Sequence, residues 1–186
     1  MEDPEIIKLY FARDEQAITE TRLQYGGYCT TIAYNILASL EETEECVSDT
    51  YLHTWNAIPP TEPRSLKYFV GKITRNLALN RARDAGAQKR AGSQYALCLD
   101  DLENLISDRS SPEKLLDAKA LGQTISEFLY TLPPGKRNLF VLRYWHFTPI
   151  PALANAMNMR ETTVRSELYR LRRKLKAYLE KEGFSL

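Results

Sequence analysis

The sequence predicts an all-α protein made of two small helical domains joined by a flexible linker, with a helix-turn-helix in the C-terminal domain. Apolar residues recur at three- and four-residue spacing along most of the chain, and strand-like alternation is absent. This periodicity fails between residues 85 and 111, where glycine, serine, glutamine and aspartate are common. Near the end, a short helix, a turn at Asn158-Met159 and a helix with a basic outer side follow in the order of a helix-turn-helix.

The first domain, residues 1–84, is predicted to contain four helices. The first is short, with Asp3 as its N-cap and Pro4 at its first helical position, and it ends near Phe11. The second follows Asp14 and is loosened or interrupted at Gly26-Gly27. The apolar residues predicted to face inward along it are Ile18, Leu23, Tyr25, Tyr28, Ile32, Ile36 and Leu37.

The third helix is predicted to begin near Thr43, with acidic residues in its first turn, where the helix dipole favours negative charge. It stops at Pro59-Pro60, and its buried residues are predicted to be Val47, Tyr51, Trp55 and Ile58.

The fourth helix is predicted to be capped by Ser65. Its inward-facing residues are predicted to be Leu66, Phe69, Ile73 and Leu77. Its exposed sides carry Lys72, Arg75, Asn76, Asn80 and Arg83.

Residues 85–111 are predicted to be a linker with at most a short helical turn around Asp101 to Ile106. A helix restarts at Ser111-Pro112 and opens the second domain, residues 112–186. Asn158 suits the left-handed backbone of the turn before the last helix. That last helix is predicted to bury Val164, Leu168, Leu171 and Leu175.

Composition narrows the possible classes of protein. The 186 residues can form one ordinary domain or two small ones, and a hydrophobic share of 44% is enough for real cores. No apolar run approaches the roughly 20 residues that span a bilayer, and the acidic start lacks the features of a signal peptide, so we expect no membrane insertion. Three widely separated cysteines predict reduced, buried thiols in a cytoplasmic protein without a bound metal.

Charge is distributed in blocks although the formal net charge is only +1. Basic residues are concentrated from Arg64 to Arg90 and from Arg160 to Lys181, and acidic residues from Glu41 to Asp49 and from Asp100 to Asp117. The basic blocks indicate two nucleic-acid contacts, and the acidic blocks a protein contact or a shielding linker. Each block taken alone fits a solvated helix face equally well.

Several stretches resemble the extracytoplasmic-function type of bacterial RNA polymerase sigma factors. The segment ETEECVSDTYLHTWNAI is similar to the family's helix that docks on the polymerase clamp helices, and SLKYFVGKITRNLALNRAR to the helix that reads and opens the −10 element. Residues 132–176 resemble the domain that binds the −35 element. The matching positions are Leu132-Pro133-Pro134, Arg137, Phe140, Leu142-Arg143-Tyr144 and Thr163-Val164-Arg165-Ser166.

This resemblance implies a non-enzymatic sigma factor that binds core RNA polymerase, recognises the −35 and −10 promoter elements and initiates transcription in the cytoplasm. It implies no cofactor. Core RNA polymerase, through the clamp helices of its largest subunit, and promoter DNA are the expected partners, and an anti-sigma factor is a further one.

The resemblance also implies a role for individual residues. Those expected at the −10 element are Arg64, Lys67, Lys72, Arg75, Asn76, Asn80 and Arg83, and the loop from residue 60 to residue 67 would hold an extruded base. Those expected at the −35 element are Thr162, Thr163, Arg165, Ser166, Glu167, Arg170 and Arg173, with Arg172 beside them for phosphates. Arginine suits guanine O6 and N7, and a carboxylate such as Glu167 can accept from cytosine N4. Those expected to bind polymerase are Glu45, Ser48, Asp49 and Leu52.

Two other functions remain open. A helix-turn-helix transcriptional regulator would bind duplex DNA without polymerase, and a helical protein-interaction adaptor would use its basic faces on acidic proteins. The segments that resemble the −10 and docking helices argue against the regulator. Catalysis is not supported, because His53 and His146 are the only histidines and neither has serine or aspartate partners at suggestive spacing.

Overall fold

The computed structural model describes residues 1–85, 93–103 and 115–184. Within these ranges the chain forms nine α-helices and no strand. They divide into two compact units, Met1–Ala96 and Leu97–Leu186. The prediction of an all-α protein with two helical units is confirmed, whereas the proposed domain limits at residues 84 and 112 stay predictions.

The first unit contains α1 (Asp3–Phe11), α2 (Gln16–Leu37), α3 (Leu40–Ala57) and α4 (Leu66–Asp84). Helix α2 packs against both α3 and α4, which also pack against each other. The largest side chains that are fully buried between these elements are Ile6, Tyr10, Ile36, Ile58, Leu66 and Val70.

Helix α2 differs from the prediction in two respects. It runs without interruption through Gly26-Gly27, and Leu23, predicted to face inward, is 73% exposed. The buried face contains the small or polar residues Ala17, Thr21 and Cys29 instead. Thr21 is satisfied there because its hydroxyl lies 2.9 Å from the buried Tyr10 hydroxyl. Small residues let the helices approach closely, a property that a search for large apolar residues overlooks.

The α3–α4 contact is also built from small residues. On α3, which begins at Leu40, three residues before the predicted Thr43, the buried set is Thr43, Cys46, Val47, Thr50 and Thr54, while Tyr51 and Trp55 are only half-buried. On α4 it is Leu66, Val70, Gly71, Thr74, Ala78 and Ala82, while Phe69, Ile73 and Leu77 are half-buried. The inward face therefore lies one residue away from the predicted one.

Thr50, Thr54 and Thr74 are tolerated in this contact because each donates its hydroxyl to the carbonyl four residues earlier in its own helix. Thr50 donates to the Cys46 oxygen at 2.9 Å and Thr74 to the Val70 oxygen at 2.8 Å. The two hydroxyls also lie 3.1 Å apart across the interface. Burying these polar side chains therefore leaves none of these hydroxyls unpaired.

The start of α4 is capped by a residue from the beginning of the chain. Asp3 is not the N-cap of α1, since that position belongs to Glu2. The Asp3 carboxylate instead accepts hydrogen bonds from the Tyr25 hydroxyl and from the Leu66 backbone N–H, the latter at 2.8 Å. Ser65, predicted to cap α4, occupies the N-cap position without a capping side-chain hydrogen bond. Asp3 thus fixes the helix that carries the expected −10 residues.

Helix α5 (Gln94–Glu103) contains the boundary between the units and lies in the predicted linker. The prediction of at most a turn at Asp101 to Ile106 is wrong, because ten residues are helical from Gln94 onward; residues 104–106 lie outside the described ranges. The Ser93 hydroxyl accepts from the Ala96 N–H at 3.1 Å, as a helix N-cap does. In the second unit, the buried Cys98 thiol donates to the Arg143 carbonyl at 3.3 Å.

The second unit continues with α6 (Leu115–Thr131), α7 (Pro134–Tyr144), α8 (Ile150–Ala156) and α9 (Glu161–Lys181). Its core confirms the predicted face of α9, because Val164, Leu168, Leu171 and Leu175 are all buried. Asn158 adopts the left-handed backbone predicted for the turn, with φ of +52°. Pro149 and Pro151 are accommodated at the start of α8, where backbone amides need no partner within the helix. Helices α8 and α9 form the predicted helix-turn-helix.

Candidate nucleic-acid and protein interfaces

One side of α4 presents a row of exposed polar residues, here called the α4 surface and defined as Tyr68, Lys72, Asn76, Asn80 and Arg83. Four-residue spacing aligns the first four of them along the helix. The row lies opposite the buried side, because Leu66, Val70 and Thr74 precede Tyr68, Lys72 and Asn76 by two residues, or about 200° around a helix. Asn80 accepts a hydrogen bond from the Arg83 guanidinium. Four of the seven expected −10 residues are therefore brought together.

The other three expected −10 residues differ from this row in accessibility or position. Arg64 is exposed in the loop before α4. Lys67 is exposed at the first turn, and its ammonium lies 5.4 Å from the centre of the Tyr28 ring. Arg75 is half-buried, and burial lowers the pKa of its guanidinium. Of the three, Arg75 is the least available to DNA in this conformation.

Tyr68 is an exposed residue of α4 that the sequence pattern alone did not single out. It is 71% exposed, which is unusual for so large an aromatic side chain. Its position four residues before Lys72 could have indicated it, because that spacing places both side chains on one face of a helix. An aromatic ring beside a cation on an exposed helix face suits stacking on an unpaired base.

The expected polymerase-binding residues lie on α3. Ser48 and Leu52 are exposed. Glu45 and Asp49 are paired within the unit, since the Arg81 guanidinium of α4 lies 2.9 Å from the Glu45 carboxylate and 2.5 Å from that of Asp49. The face that carries them is consequently less negative than its sequence suggests, and it includes the exposed apolar side chains of Leu40 and Leu52.

On α9, the expected −35 residues other than Glu167 are exposed. Arg170 has 68% of its side chain exposed. The Arg165 guanidinium lies 3.4 Å from the Glu161 carboxylate, and the Ser166 hydroxyl donates to the Thr162 carbonyl at 2.9 Å. Thr162, Thr163 and Arg173 also face solvent. The first four turns of α9 thus present an outward side that is mainly cationic.

Glu167 differs from the other expected −35 residues, because its side chain is largely buried and paired with two cations. Only 16% of its side chain is exposed, and its carboxylate lies 3.0 Å from the Lys136 ammonium of α7 and 2.8 Å from the Arg170 guanidinium. Hydrogen bonds from these two cations hold the pKa of Glu167 below its usual value, and the bond from Lys136 has the larger effect. The carboxylate is therefore charged at neutral pH and occupied by two cations, so a contact with cytosine stays a prediction that requires one of these pairs to open.

The described part of the chain offers neither a membrane-crossing helix nor a metal centre. None of its helices is both long and apolar enough to cross a bilayer. Within the same residues, no three histidine, cysteine, aspartate or glutamate side chains are arranged to hold a metal ion. All three cysteines are free and buried, as predicted.

Comparison with known proteins identifies relatives of both units. Residues 23–88 match the family model of sigma-70 region 2, and residues 123–175 that of sigma-70 region 4. The chain is 23% identical over 160 residues to the ECF RNA polymerase sigma factor SigE of Mycolicibacterium smegmatis, covering 86% of this chain and 60% of that protein. It thus spans about three fifths of the length of this curated relative.

A solved structure of CnrH in complex with the cytosolic domain of CnrY is also similar, with a TM-score of 0.44 and 17% sequence identity. The similarity covers 97% of this chain and 99% of that one. Helix α5 lies between the two sigma-70 matches, outside both of them.

Proposed function

This chain belongs to the sigma-70 family of RNA polymerase sigma factors and to its extracytoplasmic-function type, and we propose that it directs core RNA polymerase to promoters with −35 and −10 elements. One observation carries the proposal: each of the two units presents an exposed cationic helix, α4 in the region 2 match and α9 in the region 4 match. The proposal assigns no bond chemistry to the chain. An anti-sigma factor, suggested by the sequence resemblance, remains part of it.

In this proposal α9 enters the major groove of the −35 element. Arg165 and Arg170 have the exposure and the donor geometry to bind guanine edges. Ser166 lies beside them as a further candidate for base edges, while Thr162, Thr163 and Arg173 would contact phosphates, which position the helix without reading sequence. Glu167 acts through its neighbours, because its carboxylate orients Lys136 and Arg170.

The α4 surface takes the −10 strand after the duplex has opened. Lys72 and Arg83 suit phosphates, and the Asn76 amide offers both a donor and an acceptor to one base edge. Arg64, Lys67, Arg75 and Asn80 add contacts around this strand. Tyr68 supplies an aromatic face on which an unpaired base recovers part of the stacking energy lost on melting.

Helix α3 docks on the clamp helices of polymerase. Leu52 and Ser48 supply an apolar and a small polar contact from its exposed side. Glu45 and Asp49 contribute less charge than two unpaired acidic side chains would, because Arg81 forms ion pairs with both of them. A basic clamp helix would therefore compete with Arg81 for these carboxylates.

The deciding experiment is run-off transcription by core RNA polymerase with and without this chain on a promoter library, combined with capture of core polymerase by the tagged protein. We expect capture and a set of new start sites that share two sequence elements. Duplex binding without polymerase capture would favour the helix-turn-helix regulator. Binding neither DNA nor polymerase would favour the adaptor.

Tyr68→Ala is expected to impair promoter opening. Loss of one base–aromatic stack costs about 1–3 kcal/mol, so open complexes should become less stable by that amount. Tyr68→Phe keeps the ring and should behave as wild type. The measurement is open-complex lifetime on a duplex promoter, and Tyr34→Ala, which removes an exposed tyrosine of α2, is the matched control. Equal lifetimes for Tyr68→Ala and wild type would remove Tyr68 from the proposal.

Glu167→Gln is expected to reduce discrimination at the −35 element. The change keeps the shape of the side chain but removes the charge that holds Lys136 and Arg170, so Arg170 loses its orientation while α9 becomes more cationic. Binding to unrelated duplex should rise, and the ratio of cognate to unrelated affinity should fall. Glu182→Gln removes an exposed charge just after α9 and should leave this ratio unchanged. A preserved ratio in Glu167→Gln would contradict the orienting role.

A further inference from the structure

A carboxylate from α5 lies between two arginines of the second unit. The Asp101 carboxylate is 3.6 Å from the Arg143 guanidinium of α7 and 3.6 Å from the Arg172 guanidinium of α9. The side chains of these arginines are only 4% and 13% exposed, whereas that of Asp101 is 35% exposed. Asp101 thus comes from a helix outside both sigma-70 matches, whereas Arg143 and Arg172 lie within the region 4 match.

Arg172 lines a cationic groove along α9. The groove has a volume of about 560 Å³ and is lined by Asp101, Tyr169, Arg172, Arg173, Lys176 and Glu180, with Ala177. Its cations are two arginines and one lysine, and its acids are Asp101 and Glu180, the latter 3.9 Å from Lys176. Without the charge of Asp101, the groove would contain three positively charged side chains and one negatively charged side chain, that of Glu180. An excess of two positive charges in an open groove suits an anion such as a backbone phosphate.

The arginines have internal partners that do not depend on Asp101. Arg172 donates to the Tyr144 hydroxyl at 2.6 Å, and Arg143 to the Thr148 carbonyl at 3.1 Å. Burial raises the pKa of Tyr144 to about 12, so its hydroxyl stays neutral and does not balance the charge of Arg172. If the Asp101 carboxylate moved away, these partners would therefore still hold both guanidinium groups in place. Arg172 could then bind another anion.

The Asp101 contacts have the character of exchangeable ion pairs. Both separations exceed the usual range for an N–H···O hydrogen bond. Asp101 is the partly exposed member of both pairs, whereas the guanidinium groups are largely buried, so Arg172 needs an anionic partner but water already reaches the one it has. An external anion could replace it at low cost.

We propose that Arg172, Arg173 and Lys176 form a DNA-phosphate site on α9, and that Asp101 of α5 occupies this site in the free protein. Helix α5 then acts as a tethered competitor that weakens DNA binding by the second unit until a phosphate displaces its carboxylate. This inference rests on the proposed DNA binding by α9 and adds to it a means of regulation. It also explains why Arg172, expected at a phosphate, is paired inside the protein.

The test measures binding of the full-length chain to a labelled DNA duplex of unrelated sequence over a range of salt concentrations. Asp101→Asn is expected to bind roughly threefold or more tightly, with a salt dependence steeper by about one ion, because one more phosphate is neutralised. Arg172→Gln should have little effect alone but should cancel the gain in the Asp101→Asn background. Glu182→Gln, which removes a charge outside the groove, should leave the salt slope unchanged.

A purely structural role for Asp101 predicts different results. If Asp101 only braces α7 against α9, Asp101→Asn should unfold at a lower temperature and bind DNA equally or less tightly, and that outcome would overturn the proposal. A gain that survives Arg172→Gln would overturn it as well. Run-off transcription by the wild-type chain separates the two hypotheses: its failure removes the proposed function, whereas success with unchanged DNA binding by Asp101→Asn removes this inference alone.

Discussion

Leu168→Ala is expected to destabilise the second unit by about 2–5 kcal/mol, the usual cost of truncating a buried leucine in a core that cannot close around the cavity. Leu168 is 1% exposed and belongs to a cluster that includes Phe140, Leu153 and Val164. These residues come from α7, α8 and α9, so the cavity would loosen every contact that holds α9 in the helix-turn-helix. Duplex binding should fall with the folded fraction, while the first unit, which has a core of its own, should be unaffected.

The chain provides a separate reporter for each unit, since its two tryptophans are Trp55 in the first and Trp145 in the second. Urea unfolding followed in a Trp55→Phe background isolates the second unit, and a Trp145→Phe background isolates the first. Lys174→Ala, at an exposed position of α9, is the control and should change stability by no more than about 0.5 kcal/mol. Equal unfolding of Leu168→Ala and Lys174→Ala would contradict the described core.

Gly71→Ala is expected to destabilise the first unit by about 1–3 kcal/mol through overpacking. A Cβ atom at Gly71 would lie 2.7 Å from Cε1 and 2.8 Å from the hydroxyl oxygen of Tyr28, so either the ring or α4 must move. Because α4 packs on α2 at this point, displacement would also shift the α4 surface and reduce promoter opening. Urea unfolding in the Trp145→Phe background measures the change.

Gly27→Ala is the matched control for this prediction. A Cβ atom there meets nothing within 4 Å, and the position lies inside α2. Alanine should therefore stabilise the unit by about 0.5–1 kcal/mol, because glycine loses more backbone entropy on folding. The two substitutions add the same methyl group with opposite expected signs. Stabilisation by both would show that α2 and α4 are farther apart than described.

The extent to which the sequence predicted the fold depended on the kind of residue in each interface. Helix α9 buries large aliphatic side chains at three- and four-residue spacing, so its inward face was identified correctly. The α3–α4 contact buries Thr50, Thr74 and Ala78, whose small size carries no strong hydrophobic signal. Larger neighbours such as Tyr51 and Ile73 drew the prediction to the adjacent row, although they are only half-buried.

For the candidate interfaces, too, the sequence predicted some features and not others. Charge and spacing along α4 and α9 were enough to indicate most of the residues on their exposed sides, because a helix with one buried stripe must expose the others. The pairing of those residues was not predictable, since it depends on what another helix places within about 4 Å. The pairs of Arg81 with Glu45 and of Lys136 with Glu167 join residues more than 30 positions apart in the sequence.

By itself, the sequence determined the all-α class, the two units, the helix-turn-helix and the cationic outer sides, because helical periodicity is a local property written in each segment. Tertiary structure alone decided that Asp3 caps α4, that Glu167 pairs with Lys136 and that Asp101 lies between two arginines. In each case a carboxylate meets its partner only after the chain has folded. The energy of such a contact depends on distance and burial, and neither is encoded in the order of residues around it.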